Sequence, residues 1–360
     1  VSLFAILFLA KFVGDQTEII TDVVGEIIGG ILNATFGNIF ELLFSLISLF
    51  ENTENSDKIL LDVLIGGVVS NLLLVLGSSI LLGGIKNGIQ KVLNDNIHST
   101  SVFILFISSI ILTIPSLYME LNKSSEKDNN IKYINIIIAM SLFINFIYFS
   151  YFQLMNNDET IENTNNSTND NYVDIEDSKN NTTWNTTLNS YQNTFAVNDT
   201  LNITIITNNA KKNIFYPIIM LFVGTTCVGF VADNLTNSIG NFNSNISQLV
   251  MSFTFLAFVG SVPEHYTAII AAIEGKIDQV ITIAITSSTQ LLMLIPSILV
   301  FLGFFRSRNF SLVMPAYLLI AMNISTLCAY LVIQKQNITW IAGLQMMFIY
   351  SIIIVMICVW

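Results

Sequence analysis

Charge is what this sequence has least of. Asp, Glu, Lys and Arg make up 11% of its 360 residues, against 53% hydrophobic. With a mean hydropathy of +0.67, that excludes a soluble globular domain of this length. Histidine and cysteine are scarce as well, with two of the first and three of the second. Cys227, Cys328 and Cys358 all fall in apolar runs, where they read as small buried hydrophobes rather than as disulfide partners or metal ligands. So few thiolates and imidazoles also leave a soft-metal centre without ligands. The net charge of −11 speaks against nucleic acid as a partner, and no catalytic nucleophile or cofactor motif is present.

What the sequence has in abundance is apolar runs about 20 residues long, the length that crosses a bilayer as a helix. Ten windows qualify: 1–23, 24–50, 58–85, 101–119, 131–153, 214–241, 245–274, 278–304, 310–333 and 338–360. The fold expected is an all-α polytopic membrane protein with the lipid bilayer as its surroundings. Val1 to Ala10 is already apolar but has neither the basic start nor the cleavage site of a signal peptide, so the expectation is that an upstream portion is missing or that the chain begins abruptly at a helix. Between the fifth and sixth windows the composition changes. Residues 156–210 are rich in Asn, Thr, Asp and Ser, hold eight acidic residues and one lysine, and are expected to be a disordered loop. They separate a first unit, 1–155, from a second, 211–360.

Two apolar windows each carry, in a stretch (29–45 and 258–268) with no other carboxylate, a glutamate four residues after a glycine: Gly37-Asn38-Ile39-Phe40-Glu41 and Gly260-Ser261-Val262-Pro263-Glu264. A charge at membrane depth is costly and marks function. In each half the next window is polar at its middle as well, and Gly66-Gly67-Val68-Val69-Ser70-Asn71 aligns with Thr286-Ser287-Ser288-Thr289-Gln290-Leu291. Two matches in the same order indicate an internal repeat. Five spans per copy is an odd number, so the copies take opposite orientations in the membrane. Inverted-topology repeats of five transmembrane helices are a secondary-transporter architecture, with the site between the copies at the bilayer midplane. Lys and Arg divide almost evenly between alternate loops, so they do not orient the chain.

Glu41 and Glu264 facing one another, ringed by Asn38, Ser70, Ser261, Ser287 and Gln290, form an all-oxygen site suited to a hard divalent cation. Close carboxylates repel and are poorly solvated, so they also hold protons. Loaded with two protons or one divalent cation the pair is neutral, and only neutral forms should change sides cheaply. Antiport follows. His265 points about 100° away from Glu264 on a helix, which leaves open a tuning role or a plain hydrogen bond to a neighbouring helix. Glu18 and Asp233, near helix ends, are either solvated caps or the mouth of a cation funnel. His98, in a polar linker over 86–100, reads as solvated, and Ser70-Asn71 as either site or helix glue.

Gly29 to Ser45 resembles the first signature of the CAX-type Ca2+/H+ exchangers of the cation/Ca2+ exchanger superfamily. Ser70 to Gly77, Tyr151 to Leu154, Glu264-His265 and Ser287 to Gln290 are similar to further segments of that family. The resemblance implies that Glu41 and Glu264 bind the cation and the protons, with Asn38, Ser70, Ser287 and Gln290 nearby. It implies Ca2+ and H+ as cargo with no cofactor, Mn2+ as an alternative cargo, and a vacuolar or other acidic-store membrane, or another energised organelle membrane. It implies one further N-terminal helix upstream and leaves a homo-oligomer open. The metal set it suggests is Glu41, Glu264, Asn38 and Ser287. Three departures stand out: Ser261 where the family has asparagine, Gly67 where it has serine, and Pro263 before the second glutamate. Three rival readings are a Na+-coupled exchanger of the same superfamily, an intramembrane hydrolase using the two glutamates as acid and base, and a passive channel.

Overall fold

The computed structural model describes residues 38–51, 54–93, 95–123, 129–169, 215–240, 248–306 and 310–359, with scattered positions between 5 and 20. Nearly all of them are helical. In hydrocarbon no water satisfies a free peptide group, so an apolar chain crosses by closing its hydrogen bonds within each segment.

Six helices among the described residues are long and apolar enough to cross a membrane: Asp57–Asn87, Asn96–Asn122, Asn129–Gln153, Ile277–Phe305, Ala316–Ile333 and Trp340–Val359. A bent pair of helices, Met251–Gly260 and Glu264–Ile273 meeting at 57°, passes the same test when taken together as one span. Ile39–Phe50 and Phe215–Val231 are shorter apolar helices. The window drawn over 1–23 falls mostly outside the described residues, as do Gly29, Gly30 and Gly37 of the first signature.

The elements that position the site are α1 (Ile39–Glu51), α2 (Glu54–Val69), π1 (Ser70–Val75) and α3 (Leu76–Asn87) in the first half. After strand β1 (Gln90–Lys91), α4 (Asp95–Asn122) and α5 (Asn129–Asn169) complete it. The second half runs through α6 (Phe215–Gly240), α7 (Gln248–Val250), π2 (Met251–Leu256), α8 (Ala257–Gly260) and α9 (Val262–Ile273). Then come α10 (Ile277–Thr289), π3 (Gln290–Leu294), α11 (Ile295–Phe305), α12 (Ala316–Ile333), β2 (Asn337–Ile338) and α13 (Trp340–Val359). One buried apolar cluster runs through α2, π1, α10, π3 and α12, so the Ser70 and Gln290 helices form the centre and the other helices pack outside them.

Several expectations are corrected. Within the polar linker over 86–100, Gln90 pairs with Ile338 and Lys91 with Asn337 in an antiparallel ribbon, and Val92 N donates to Gln336 O at 2.9 Å. Helix α4 starts at Asp95, so His98 is carried into the contact with α10. It is buried, not solvated, with Nε2 3.1 Å from Asp278 Oδ1. The window from 310 becomes helical only at Ala316, because Pro315 holds extended backbone (φ −65°, ψ 153°). Helix α5 continues to Asn169, into the Asn-rich tract, since a helix once nucleated extends at the cost of one residue per hydrogen bond. Cys227 and Cys358 are exposed and Cys328 is half-buried. Lipid solvates an apolar face as well as protein does, so an apolar run need not be buried in the protein.

Candidate functional site

The bent span explains how a carboxylate reaches the centre. Its helix breaks at Ser261 (φ −87°, ψ 6°), and Pro263 stands in the first turn of α9, where its missing N–H leaves no intrahelical bond unmade. Glu264 follows in that first turn. In the first half the chain turns at Asn38, and Glu41 lies in the first turn of α1. Each carboxylate is therefore held by the opening turn of a helix, whose free N–H groups favour negative charge.

The two carboxylates are brought together. Glu41 is 2% exposed and Glu264 9%, each within electrostatic reach of the other. A Cβ at Gly260 would overlap Glu41 Oε1, so the α8 backbone lies directly on the Glu41 carboxylate. Glu41 Oε1 and Glu264 Oε2 are buried and have no hydrogen-bond partner among the described residues. No three His, Cys, Asp or Glu side chains cluster among the described residues, so among those residues the acidic part of the site is this pair.

The neutral residues divide into two groups. On one side Ser287 Oγ donates to Asn38 Oδ1 at 2.8 Å, Asn71 Nδ2 donates to Ser287 Oγ at 2.8 Å, and Asn38 Nδ2 donates to Gln290 Oε1. On the other, Ser70 and Ser261 hydroxyls meet at 3.2 Å, Ser261 Oγ also donates to Phe258 O at 3.2 Å, and the Tyr350 phenol engages Ser70. Ser70 and Gln290 each open a π segment. The wider turn there is sealed by bonds five residues long, as from Leu76 N to Asn71 O, and such segments gather at functional sites.

Every neutral candidate proposed from the sequence, Asn38, Ser70, Ser261, Ser287 and Gln290, thus joins one of these groups. His265 does not join them. Its Nδ1 lies 3.3 Å from Ser261 O on its own helix, not on a neighbour, and its ring meets Phe258 edge-on at 5.4 Å. Glu18 lies outside the described residues, and only the backbone of Asp233 is described. Sequence reasoning left Asn71 unassigned between site and glue, and missed Tyr350 because one tyrosine in an apolar helix carries no pattern.

Three likenesses bear on this geometry. A Ca(2+)/H(+) antiporter, ChaA, of Bacillus subtilis is 27% identical over 96% of this chain and 88% of its own. A vacuolar calcium ion transporter of Schizosaccharomyces pombe is 24% identical over 98% of this chain and 77% of its own. The solved structure of native YfkE superposes with a TM-score of 0.73 at 23% identity, covering all of this chain and 91% of that one. The family model described as sodium/calcium exchanger protein matches residues 1–152 and 216–359, both sides of the Asn-rich tract. The chain belongs to the sodium/calcium exchanger protein family, a family of transporters and not of enzymes, and its resemblance to the CAX-type exchangers extends over its whole length.

Proposed function

We propose that this protein is an antiporter that exchanges Ca2+ for H+ by alternating access, with Glu41 and Glu264 as the groups that hold the cation and the protons in turn. The observation that carries the reading is the buried pair itself: two carboxylates within electrostatic reach, each with an oxygen that no described group occupies. A pair of negative charges at membrane depth is stable only when neutralised. Two protons or one divalent cation do this equally, and the two loads exclude one another. Asn38, Ser287, Gln290, Ser70 and Ser261 supply neutral oxygens beside the pair, with Asn71 orienting Ser287. An all-oxygen set suits Ca2+, and Mn2+ as a second cargo.

The five-helix halves act as repeats of opposite orientation, and the site lies between them. Supporting this are the aligned polar segments and the cross-half pairing: Asn38 of the first half bonds Ser287 and Gln290 of the second, and Ser261 of the second bonds Ser70 of the first. Rocking one half against the other exchanges these contacts while the carboxylates stay at the hinge. The membrane served is that of an acidic store, where an outward proton flow drives Ca2+ in.

The test is Ca2+ uptake into proteoliposomes that are acid inside, with and without a protonophore, and with Na+ gradients substituted for the proton gradient. Uptake that follows the proton gradient and ignores Na+ supports the reading. Uptake that follows Na+ turns it toward the Na+-coupled exchanger, and uptake indifferent to both toward a channel.

A further inference from the structure

One buried carboxylate has no part in the mechanism above. Asp62 lies within the apolar span Asp57–Asn87 and is 7% exposed, a position where a charge is costly and marks a function. Asp62, Gly66 and Ser70 recur at every fourth residue, so they share one face of the helix. That face lies along the bent span. Ser252 Oγ donates to Asp62 Oδ2 at 3.0 Å, Gly66 admits the Phe253 carbonyl and the Ala257 methyl where any side chain would overlap them, and Ser70 meets Ser261. Asp62 is therefore on the face that carries the site, about 12 Å along the helix axis from Ser70.

A second observation comes from α1, which packs against α2. Ser45 and Ser48 follow Glu41 at four and seven residues, on its face of the helix. Both are fully buried, and neither hydroxyl has a hydrogen-bond partner among the described residues. Oxygen left free inside an apolar bundle is expensive unless something passing uses it. The titratable neighbours of Asp62 are few. Lys58, exposed and one turn earlier on α2, lies within electrostatic reach, as does the Tyr317 phenol of α12. The bent span offers Ser252.

We propose that Asp62 is an outer station for the divalent cation, which it receives from the Lys58 end of α2 and passes towards the Glu41–Glu264 pair. Ser252, Ser45 and Ser48 supply neutral oxygens along the way, and the Lys58 ammonium competes for Asp62 when no cation is present. This rests on the exchange reading above.

The experiment uses the full chain in proteoliposomes, with Ca2+ as the probe. Asp62→Asn should raise the KM for Ca2+ about tenfold, a loss of about 1.4 kcal/mol, with the maximal rate and the response to the proton gradient unchanged. Asp62→Glu should keep the wild-type KM within about twofold. Lys58→Gln should move the KM the other way, down about two- to threefold, and should have no effect once Asp62→Asn is present. A fall in maximal rate at constant KM would overturn the station and leave Asp62 as a strut. So would Lys58→Gln raising the KM as Asp62→Asn does. Equilibrium Ca2+ binding to the purified Glu41→Gln/Glu264→Gln protein decides the matter apart from transport: weak binding that disappears on adding Asp62→Asn supports the station, and binding unchanged by it refutes it. Wild-type vesicles that fail to take up Ca2+ under a proton gradient would refute the exchange reading, while this binding comparison still decides Asp62.

Discussion

The two sides of the central site are built from aligned residues to different standards. On one, Asn38 spans Ser287 and Gln290, and Asn71 braces Ser287 from behind. The aligned positions on the other are Ser261, Gly67, Ser70 and Leu291. Of these only Ser261 and Ser70 touch through polar atoms, and Leu291 takes up the space beside Gly67: a Cβ added at Gly67 would fall 2.8 Å from Leu291 Cδ1. Ser261 and Gly67, the two positions where the resemblance implies a larger polar side chain, thus fall on the same wall, and Leu291 occupies the space beside Gly67. A transporter with such a site has one polar, braced wall and one lean, apolar wall, so equivalent substitutions in the two halves should not cost the same.

The carboxylates are where the halves should still behave alike. Glu41→Gln and Glu264→Gln are each expected to reduce proton-driven Ca2+ uptake about 100-fold or more, the loss of about 3 kcal/mol of charged ligation. Initial rates in acid-loaded vesicles would measure this, and a large difference between the two variants would break the pairing. Gly260→Ala comes next, because the new methyl drives into the Glu41 carboxylate. About 1–3 kcal/mol of overpacking should appear as a lower melting temperature together with loss of Ca2+ protection against unfolding.

The sharpest comparison is between Asn38→Ala and Ser261→Ala. The first strands Ser287 and Gln290 and should cost about 1–3 kcal/mol of Ca2+ affinity, whereas the second loses a 3.2 Å contact between hydroxyls and a bond to the Phe258 carbonyl of its own segment, and should cost about 0.5–1 kcal/mol. Equal effects by equilibrium binding would refute the asymmetry. Gly67→Ser alone should destabilise by pressing on Leu291, and Leu291→Asn should reverse part of that, with a coupling of about 0.5–3 kcal/mol in a double-mutant cycle. Additive effects would mean that Gly67 and Leu291 do not compete for one space. The smallest effect is expected farthest from the site. His98→Ala removes a contact to Asp278 in the first turn of α10 and should lower stability by about 1 kcal/mol with Ca2+ affinity unchanged.

Much of the candidate site was legible because carboxylates, amides and hydroxyls are rare in apolar helices, so each one stands out. Glu41, Glu264, Asn38, Ser70, Ser287 and Gln290 all announced themselves this way. The same contrast failed at the edges. His98 sat in a polar linker and looked solvated, yet an earlier helix start buries it. Asp62, near the start of the window over 58–85, carried no reading of its own, because a charge close to a helix end does not stand out; its burial against Ser252 is visible only in the structure. The cysteines misled for the opposite reason, since apolar neighbours in the sequence do not distinguish protein interior from lipid.

The sequence alone determined the solvent, the helical class, the two lone carboxylates and the order of the aligned polar segments, because each is a local property of composition at membrane depth. Only the tertiary structure decided which partner each polar group takes. Asn38 and Gln290 are 252 residues apart, and Asp62 and Ser252 are 190 apart. Nothing local encodes such pairings. In a soluble protein the alternation of apolar and polar residues would mark which face turns inward, but lipid is as apolar as the protein core, so that signal fades and packing alone makes the choice.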